Sequence, residues 1–351
     1  MKTIKDINIK DKVILLRTDY NVPLKNGKIT DDLRIRASLP TIQYLLDHGV
    51  KRIFIVSHLG RPEGKENLDF TLSPVADRLR KLLPQTKIGF YPLPDSTEPI
   101  KGIPEGIKIA LLENLRFDPG EEANSPAFIE KIVKSTNANF YVQDGFAVIH
   151  RAHASTDAIQ KFLPIYAGLL LEKEVQNLTA ALQHPAKPVL LIIGGAKVED
   201  KQPLIDKFTK KADHIFVGGK IAADGYKSTN PKIIVASDFD KNEQNQKLDI
   251  GPLSTGELAG LITDANTIIW NGLLGYAEDP AYATASTITA ELIGEKQTAT
   301  TIICGGDTTG FVENLIQEHE NLHYSLVSTG GGAALEFLLG KKLPGLESIT
   351  V

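Results

Sequence analysis

The stretch "RIFIVSHLGRP", residues 52–62, joins an apolar run to a stiff turn that carries two potential cations. The run at 52–56 is rich in Ile, Val and Phe, which favours a buried β-strand. Glycine permits a tight turn after it, and Pro62 restricts the backbone that follows Arg61. A turn without charged side chains is enough to end a strand. The placement of His58 and Arg61 here therefore indicates a function for this strand end.

Nine further apolar runs follow the same pattern along the chain, with amphipathic stretches between them. They are "VILLR" (13–17), "IALL" (109–112), "FYVQ" (140–143), "PVLLII" (188–193), "HIFVG" (214–218), "KIIVA" (232–236), "NTIIW" (266–270), "TTIIC" (300–304) and "YSLVS" (324–328). Helical patterns lie at 31–49, 71–83 and 171–184. Continuous apolar strands that alternate with helices predict a doubly wound α/β fold, whose parallel sheet is covered on both faces. At 351 residues and 42% hydrophobic composition, the chain is long enough for two such cores.

The composition argues against several classes of partner. Lys and Arg total 39 against 43 Asp and Glu, so the net charge of −4 offers no global field for nucleic acid or an anionic membrane. No run approaches the length of a membrane span, and the start "MKTIKDINIKDK" lacks the apolar region of a signal peptide. Cys304 is the only cysteine, which excludes a disulfide within the chain and fits a reducing compartment. We therefore expect a cytoplasmic protein, and we expect it to be a monomer.

The residues that follow the predicted strands differ between the two halves of the chain. In an open α/β sheet these residues form the ligand site, beyond the carboxyl ends of the strands. The first half supplies Arg, His and Asn, in "RTDYN" (17–21), "SHLGR" (57–61), "ENLRF" (113–117) and "DGFAVIHRAH" (144–153). The second half supplies Gly, Lys, Asp and Thr, in "GGAKVEDK" (194–201), "GGK" (218–220), "NGLLG" (271–275), "GGDTTG" (305–310) and "STGGGAA" (328–334).

Each half indicates a different ligand. Arginines paired with histidines suit a compact, multiply charged anion, because guanidinium groups bind carboxylate and phosphate through two hydrogen bonds. Paired glycines at helix starts let backbone N–H groups approach phosphates, and Asp307 suits a Mg²⁺ ion that bridges nucleotide phosphates. A basic site together with a nucleotide site indicates phosphoryl transfer.

Plainer readings of the same residues remain open. A single arginine at a strand end is more often a surface ion-pair partner, and a Gly-Gly pair is usually only a tight turn. His150 and His153 have the spacing of a metal pair, but no third ligand is evident. Neither the P-loop pattern nor the dinucleotide-binding glycine pattern occurs. Cys304 follows an apolar run and fits a small buried residue better than a nucleophile.

Nine motifs, taken together, resemble the phosphoglycerate kinase family in identity and in order. They are "RTDYNVP" (17–23), "LRIRAS" (33–38), "SHLGRP" (57–62), "LLENLRF" (111–117), "HRAH" (150–153), "GGAKVEDK" (194–201), "WNG" (270–272), "GGDT" (305–308) and "STGGGA" (328–333). The resemblance implies two doubly wound parallel-sheet domains that are joined by a helix and hinged around a central cleft. The predicted domains are 1–160 for 3-phosphoglycerate and 185–334 for the nucleotide, with a connecting helix region at 161–184. A tail at about 335–351 is expected to pack back on the first domain.

The same resemblance implies the activity and the substrate-binding residues. The reaction is reversible phosphoryl transfer between 1,3-bisphosphoglycerate and MgADP, giving 3-phosphoglycerate and MgATP, in glycolysis and gluconeogenesis. The acceptor is a carboxylate that is already deprotonated at neutral pH, so no general base is required. The implied substrate-binding residues are Asp19, Asn21, Arg34, His58, Leu59, Gly60, Arg61, Arg116 and Arg151.

The nucleotide and catalytic residues are implied in the same way. Arg34 and Lys197 match the cations that stabilise the transferring phosphoryl group, and Gly331 and Gly332 open a helix aimed at that group. Asp307 is the expected ligand of Mg²⁺, the implied cofactor. The implied nucleotide-binding residues are Lys197, Lys201, Glu278, Gly305, Gly306, Asp307 and Thr308.

The sequence departs from the family pattern at four places. Leu273 replaces the proline of "WNGP", Cys304 replaces the first glycine of "GGGD", and "DGFAVIHRAH" differs from the usual "DAFGTAHRAH". The span from Lys220 to Ile269 is much shorter than the segment that builds most of the family's adenine pocket. These departures leave open an alternative function, a non-catalytic sensor or scaffold that binds a phosphorylated ligand. They also leave the base selectivity of the nucleotide site undetermined.

Overall fold

The computed structural model describes residues 1–319 and 321–349, and it divides the chain into two compact units. Unit 1 comprises Met1–Lys173 and the described chain from Lys342 onward, and unit 2 comprises Glu174–Lys341. Each unit contains a six-stranded sheet in which every neighbouring pair of strands is parallel. The predicted fold class, with two parallel-sheet α/β domains, is confirmed.

The sheet of unit 1 has the strand order β5-β6-β4-β1-β7-β8. The strands of this unit are β1 (Val13–Arg17), β2 (Leu24–Lys25), β3 (Lys28–Ile29), β4 (Arg52–Val56), β5 (Ile88–Tyr91), β6 (Ile109–Leu112), β7 (Phe140–Gln143) and β8 (Ile165–Ala167). Strands β2 and β3 form a separate antiparallel hairpin. The helices that accompany them are α1 (Leu33–Asp47), α2 (Ser73–Leu82), α3 (Pro119–Glu122) and α4 (Pro126–Thr136). Helix α5 (Leu169–Gln183) begins in unit 1 and ends in unit 2.

The sheet of unit 2 has the strand order β11-β10-β9-β14-β15-β16. The strands are β9 (Val189–Ile193), β10 (His214–Val217), β11 (Ile233–Val235), β12 (Phe239–Lys241), β13 (Lys247–Ile250), β14 (Thr267–Asn271), β15 (Thr300–Cys304) and β16 (Leu326–Val327). The helices are α6 (Val198–Phe208), α7 (Gly219–Ala223), α8 (Pro252–Asp264), α9 (Thr284–Glu295), α10 (Gly306–Glu318) and α11 (Gly331–Leu338). Strands β12 and β13 form an antiparallel hairpin outside the main sheet. No helix in the described parts of the chain is long and apolar enough to cross a membrane.

Hydrophobic burial accounts for the central strands. Every residue of β6, β9 and β14 is buried. In β1, β4, β7, β10 and β15 every residue after the first is buried. Such strands need the near-continuous apolar runs that the sequence shows. Each of the ten predicted strands overlaps an observed strand, whereas the short strands β5 and β8 and both hairpins were not predicted.

The topology places the site-bearing loops in each unit. In unit 1 the chain adds strands on one side of β1, through β4, β5 and β6, and then crosses to β7 on the other side. In unit 2 it adds β10 and β11 beside β9 and then crosses to β14. Ligands bind where an open α/β sheet reverses its strand order. The relevant loops therefore follow β1 and β7 in unit 1, and β9 and β14 in unit 2.

The C-terminal segment contacts unit 1 through its backbone. Lys2 N donates to Ile349 O at 2.8 Å, Gly345 N donates to Ile149 O at 2.9 Å, and the Gln160 side-chain amide donates to Pro344 O at 2.7 Å. The predicted tail was placed at about 335–351. Residues 335–341 fall in unit 2 and include the end of α11, and the last two residues of the predicted tail lie outside the described residues.

A buried carboxyl group lies between β7 and α5. Oδ1 of Asp144 accepts hydrogen bonds from Leu170 N at 3.0 Å and Leu171 N at 3.4 Å, in the first turn of α5. Burial raises the pKa of this carboxyl group to about 7, although these amides and the Thr41 hydroxyl favour its charged form. The folded chain therefore keeps the proton up to about pH 7, whereas the unfolded chain releases it near the ordinary pKa of 3.8. Stability from this group is lost as the pH rises through that window.

We predict that Asp144→Asn makes stability less dependent on pH. The unfolding free energy of the variant relative to wild type should increase between pH 5 and pH 8, by roughly 1.4 kcal/mol for each pH unit from pH 5 up to the folded-state pKa of about 7. Urea unfolding at both pH values measures this difference. Asp95→Asn makes the same chemical change at an exposed site in unit 1 and corrects for the loss of one carboxylate. A difference that is equal at the two pH values would contradict the prediction.

Candidate functional site

In unit 1 the turn after β4 is held at both polar atoms of Gly60. Its N–H donates to Oδ1 of Asn21 at 2.9 Å, and its carbonyl accepts from Nη1 of Arg116 at 2.7 Å. Gly60 has φ +61°, and a Cβ atom there would lie 2.2 Å from the Phe70 ring. Only glycine fits this position, because a side chain would be strained and would clash. Three of the predicted substrate residues are thus brought together in one turn.

Asn114, which was not predicted as a site residue, holds the same turn through hydrogen bonds of its side chain. Its Nδ2 donates to Leu59 O at 2.7 Å and to Phe70 O at 2.9 Å, and its Oδ1 accepts from Arg116 N at 3.0 Å. Asn114 is completely buried, so these bonds satisfy an amide that would otherwise be costly to enclose. The sequence signal was an asparagine directly after a buried strand, in "ENLRF".

Arg34 lies in the first turn of α1 and reaches the loop after β1. Its Nη1 contacts Asp19 Oδ2 at 3.0 Å and donates to Asn21 O at 2.8 Å. Oδ1 of Asp19 accepts from Asn21 N at 2.9 Å, which closes the loop on itself. The structure therefore joins the predicted catalytic arginine to two predicted substrate residues.

His58 is buried among arginines and is neutral. Its pKa is lowered well below the ordinary value by burial and by the positive charges of four arginines, Arg17, Arg116, Arg151 and Arg34. Nη2 of Arg17 lies 3.3 Å from Nδ1 of His58. Since a guanidinium group can only donate, Nδ1 accepts and the imidazole proton lies on Nε2. Burial and the same cationic surroundings also lower the pKa of His153, to about 4.

Arg17 was quoted with its strand but not predicted as a site residue. It is buried at the end of β1, with Nε donating to Ser155 Oγ at 2.9 Å and Nη2 lying 4.0 Å from Glu121 Oε1. Glu121 is also buried and accepts from Ser155 Oγ at 2.6 Å and from Ser155 N at 3.0 Å. A buried ion pair is tolerated only when hydrogen bonds satisfy its remaining atoms, and Ser155 supplies them to both partners. An arginine at the last position of an apolar strand was the available signal.

The remaining predicted residues of unit 1 differ in exposure. Leu59 is buried within the turn, Arg151 is half-buried, and Arg61 is exposed. Nε of Arg151 lies 3.4 Å from Nε2 of His150. Arg61 follows Gly60 directly and is the outermost cation of the turn.

The predicted residues of unit 2 line a cavity of about 450 Å³. The loop after β9 and the loop after β14 both contribute, so the cavity lies where the strand order reverses. Its lining includes Lys197, Lys201, Glu278, Gly305, Gly306, Asp307 and Thr308. Gly331 and Gly332 are not in the lining, but a Cβ atom on Gly331 would lie 2.9 Å from Gly306 N. The starts of α10 and α11 are therefore packed closely together.

Glycine backbones let the strand ends approach each other around the cavity. Gly195 N donates to Leu273 O at 2.8 Å, across from β9 to β14. Gly305 has φ +104° and precedes the first residue of α10, a conformation that a side chain disfavours. The hydroxyl oxygen of Thr308 accepts from Gly272 N at 2.9 Å, so this predicted nucleotide residue also ties two turns together.

The two predicted lysines lie in different surroundings. Lys197 is exposed and precedes the first residue of α6, whereas Lys201 lies one turn further along and is half-buried. The pKa of Lys201 is lowered overall, because the effect of burial is larger than the opposite effect of the nearby Cys304, Asp200 and Asp307. Nζ of Lys201 donates to Oδ1 of Asn271, a residue at the end of β14 that was not predicted.

Asp307 presents a carboxylate to the cavity from the first turn of α10. Asp200 also lines the cavity. Within residues 1–319 and 321–349, no group of three or more His, Cys, Asp or Glu side chains is arranged to hold a metal ion. One or two carboxylates suit Mg²⁺, which takes most of its ligands from water and substrate phosphates.

The shortened span contributes an unpredicted wall of the cavity. Phe239 and Lys247, from the β12–β13 hairpin, line it together with Leu248 and Tyr276. Nζ of Lys247 lies 4.4 Å from the centre of the Phe239 ring and 3.1 Å from Ala223 O. Ile221, Tyr226 and Leu253, which belong to the same shortened span, are not in the lining. The hairpin was missed because its strands, FDK and KLDI, contain charged residues and no continuous apolar run.

Comparisons with known proteins agree with the motifs. The family model "Phosphoglycerate kinase" matches residues 4–233 and 223–341, and the two stretches meet within the shortened span. A phosphoglycerate kinase of Moorella thermoacetica is 38% identical over 395 aligned positions, covering 99% of this chain and 98% of the relative. Another, of Dictyoglomus turgidum, is 39% identical over 390 positions and covers 98% of this chain and 96% of the relative. Both alignments exceed the 351 residues of this chain, because the relatives are longer.

Solved structures give the same result. Phosphoglycerate kinase from Coxiella burnetii has a TM-score of 0.80 at 32% identity, covering 99% of this chain and 98% of that structure. The enzyme from Pyrococcus horikoshii has a TM-score of 0.85 at 28% identity, covering 100% and 98%. On these matches, and with the predicted motifs in place around two sites, the chain belongs to the phosphoglycerate kinase family of enzymes.

Proposed function

We propose that this chain catalyses reversible phosphoryl transfer between 1,3-bisphosphoglycerate and MgADP, giving 3-phosphoglycerate and MgATP. The observation that carries the proposal is the crowding of four arginines around His58 at one sheet edge. Neighbouring like charges repel. Carboxylates lie beside Arg17 and Arg34, but a multiply charged anion bound among the four guanidinium groups would stabilise the cluster further. The glycine-lined cavity of unit 2, whose lining includes Lys197 and Lys201, supports a nucleotide as the second substrate.

The proposed phosphate clamp of unit 1 is the cluster His58, Arg61, Arg116 and Arg151. Guanidinium groups give two-pronged hydrogen bonds to phosphate oxygens, and the neutral His58 adds a donor without adding charge. Asp19 and Asn21 would hold the glycerate hydroxyl and carboxyl region. Their contacts with Arg34 and with the Gly60 turn support this role, because both side chains are already oriented at the same edge.

The proposed nucleotide site is the cavity of unit 2. Backbone N–H groups at the start of α10, together with Lys197 and Lys201, would bind the phosphates. Asp307 would hold the Mg²⁺ ion, whose charge neutralises the phosphate oxygens during transfer. Glu278 is exposed at the cavity, where it could accept from a ribose hydroxyl.

The chemical step needs alignment and charge stabilisation rather than a base. The acceptor is an ionised carboxylate, so no proton has to be removed from it. Arg34 and Lys197 would stabilise the negative charge on the transferring phosphoryl oxygens, with the amides of Gly331 and Gly332. Because the two substrates bind to different units, the proposal includes closure that brings them together and excludes water.

Several finer expectations stay predictions. These are the monomeric state, the cytoplasmic location and the absence of nucleic-acid or membrane partners. The comparisons give no support for the alternative function of a non-catalytic sensor or scaffold. That alternative also leaves unexplained why Arg34, Lys197, Lys201 and Asp307 are all present.

We predict that the wild-type chain forms ATP from 1,3-bisphosphoglycerate and MgADP. Arg34→Ala or Lys197→Ala should lower kcat by about 10²- to 10³-fold, because each removes one donor that stabilises the charge on the transferring group. A coupled assay for ATP, with and without MgADP, measures both. Arg36→Ala, on the same helix as Arg34, and Lys210→Ala are the matched controls and should retain near-normal turnover. Absence of ATP formation by the wild-type chain would reject the proposed function, and normal turnover in both test variants would reject their assignment.

A second prediction separates the two substrate sites. Arg61→Ala should weaken 3-phosphoglycerate binding about tenfold, at the low end for a charge-assisted contact because Arg61 is exposed, and leave MgADP affinity nearly unchanged. Calorimetry with each ligand alone gives the two dissociation constants. Arg80→Ala removes another exposed arginine of unit 1 and should change neither. A larger loss for MgADP than for 3-phosphoglycerate would reverse the assignment of the two units.

The trimmed span also predicts weak discrimination between nucleotide bases. Phosphate recognition by helix starts, Lys201 and Mg²⁺ does not depend on the base, and the segment from Lys220 to Ile269 is short. In the hairpin wall, Phe239 and Leu248 supply apolar surface. Its two polar side chains are already engaged, Lys247 against the Phe239 ring and Asp249 with the N–H groups of Ile250 and Ala285. We expect kcat/KM values for MgATP, MgGTP and MgITP in the reverse direction to lie within about 100-fold of one another. A stronger preference for MgATP would show that the hairpin forms a selective adenine pocket, without affecting the kinase assignment.

A further inference from the structure

Cys304 lies beside Asn271 at the carboxyl edge of the unit 2 sheet. The two residues end the neighbouring parallel strands β15 and β14 and are partners in the strand register. Sγ of Cys304 lies 3.2 Å from Nδ2 of Asn271. Both side chains are buried, Cys304 completely. The Asn271 amide is therefore enclosed between the thiol and Lys201.

The chemistry of the three groups allows only one orientation of the amide. The ammonium group of Lys201 has donors and no acceptor, so the amide must turn its oxygen toward Lys201. The amide nitrogen then faces Cys304, and the sulfur is its acceptor. The opposite orientation would place N–H donors against an ammonium group and leave the amide oxygen against the thiol.

The thiol itself is also oriented. Sγ lies 3.6 Å from the carbonyl oxygen of Trp270, to which the S–H group donates. Burial raises the pKa of the Cys304 thiol to about 11, so the proton stays on sulfur at neutral pH. With the S–H group committed to Trp270, the sulfur lone pairs are left to accept from Asn271.

We propose that Cys304 is a positioning residue for nucleotide binding, which holds the Asn271 amide so that its oxygen directs Lys201 into the phosphate end of the cavity. This inference rests on the proposed role of Lys201 as a ligand of the nucleotide phosphates. Lys201 carries a flexible four-carbon stem, and a fixed acceptor beside its ammonium group reduces the freedom that binding would otherwise have to remove. The family usually has glycine at this position, so the hydrogen bond from Asn271 to residue 304 belongs to this chain rather than to the family pattern.

Alanine is the more stringent substitution. A glycine would leave room for a water molecule to accept from Asn271, whereas the alanine methyl group keeps part of that space and has no acceptor. A serine hydroxyl can both donate to Trp270 and accept from Asn271. Cys304→Ala and Cys304→Ser therefore differ in whether residue 304 can accept a hydrogen bond from Asn271.

The experiment measures MgADP and 3-phosphoglycerate binding separately by calorimetry. Cys304→Ala should weaken MgADP binding about tenfold, as for loss of a hydrogen bond that orients a charged group, while Cys304→Ser stays within about threefold of wild type. Binding of 3-phosphoglycerate should be unchanged in both. Ile303→Val, a buried neighbour on β15 with no polar group, is the matched control for packing and should lower thermal stability without changing either affinity. If the alanine variant does not fold, Cys304→Val tests the same point, since it fills the space without an acceptor.

Combining Cys304→Ala with Lys201→Ala distinguishes failure of the proposed role of Cys304 from failure of the proposed role of Lys201. In that background, Cys304→Ala should have no further effect on MgADP affinity, because its action passes through Lys201. Unchanged MgADP binding in Lys201→Ala alone would overturn the proposed role of Lys201. If Lys201→Ala weakens binding but Cys304→Ala matches wild type, or if their effects add, the positioning role of Cys304 is wrong.

Discussion

Parallel strand pairing is the constraint from which both sites follow. When every strand of a sheet runs in one direction, all the loops that follow the strands lie along one edge. The buried strands need apolar side chains, so charged and polar groups collect at that edge. In unit 1 the edge carries Arg17, His58 and Arg116, and in unit 2 it carries glycine turns and Lys201. The same architecture thus provides two sites of different chemistry.

The two edges carry positive charge from different sources. In unit 1 the positive charge comes from side chains, and burying it requires compensation by Glu121, Ser155 and backbone carbonyl groups. In unit 2 much of it comes from backbone N–H groups at helix starts, which are fixed in place and need no counter-charge. Glycine is required there because Gly194 and Gly272 bring one backbone against another, and because Gly305 has a positive φ. An enzyme family with two phosphorylated substrates needs both kinds of positive site, since the negative charges of the two substrates are arranged differently.

Local sequence patterns predicted the strands and strand-end residues well, because those patterns are read over a few neighbouring positions. The run at 52–56 became β4, and the cations that follow it lie where the pattern placed them. The β12–β13 hairpin was missed for the corresponding reason. Its strands contain charged residues and no apolar run. Its place as a wall of the cavity depends on contacts with residues far along the chain, such as Lys247 with Ala223.

The sequence by itself determined the parallel α/β architecture, the family, and the residue types at each strand end. These depend on apolar periodicity and on the order of motifs, which the chain carries without folding. Only the tertiary structure decided that His58 is neutral, that Arg17 belongs to the basic cluster, and that Cys304 faces Asn271. The hydrogen-bonded partners lie far apart along the chain, 41 positions for Arg17 with His58 and 33 positions for Cys304 with Asn271. A pKa or a side-chain orientation is set by what surrounds the group in space, and no local pattern contains that information.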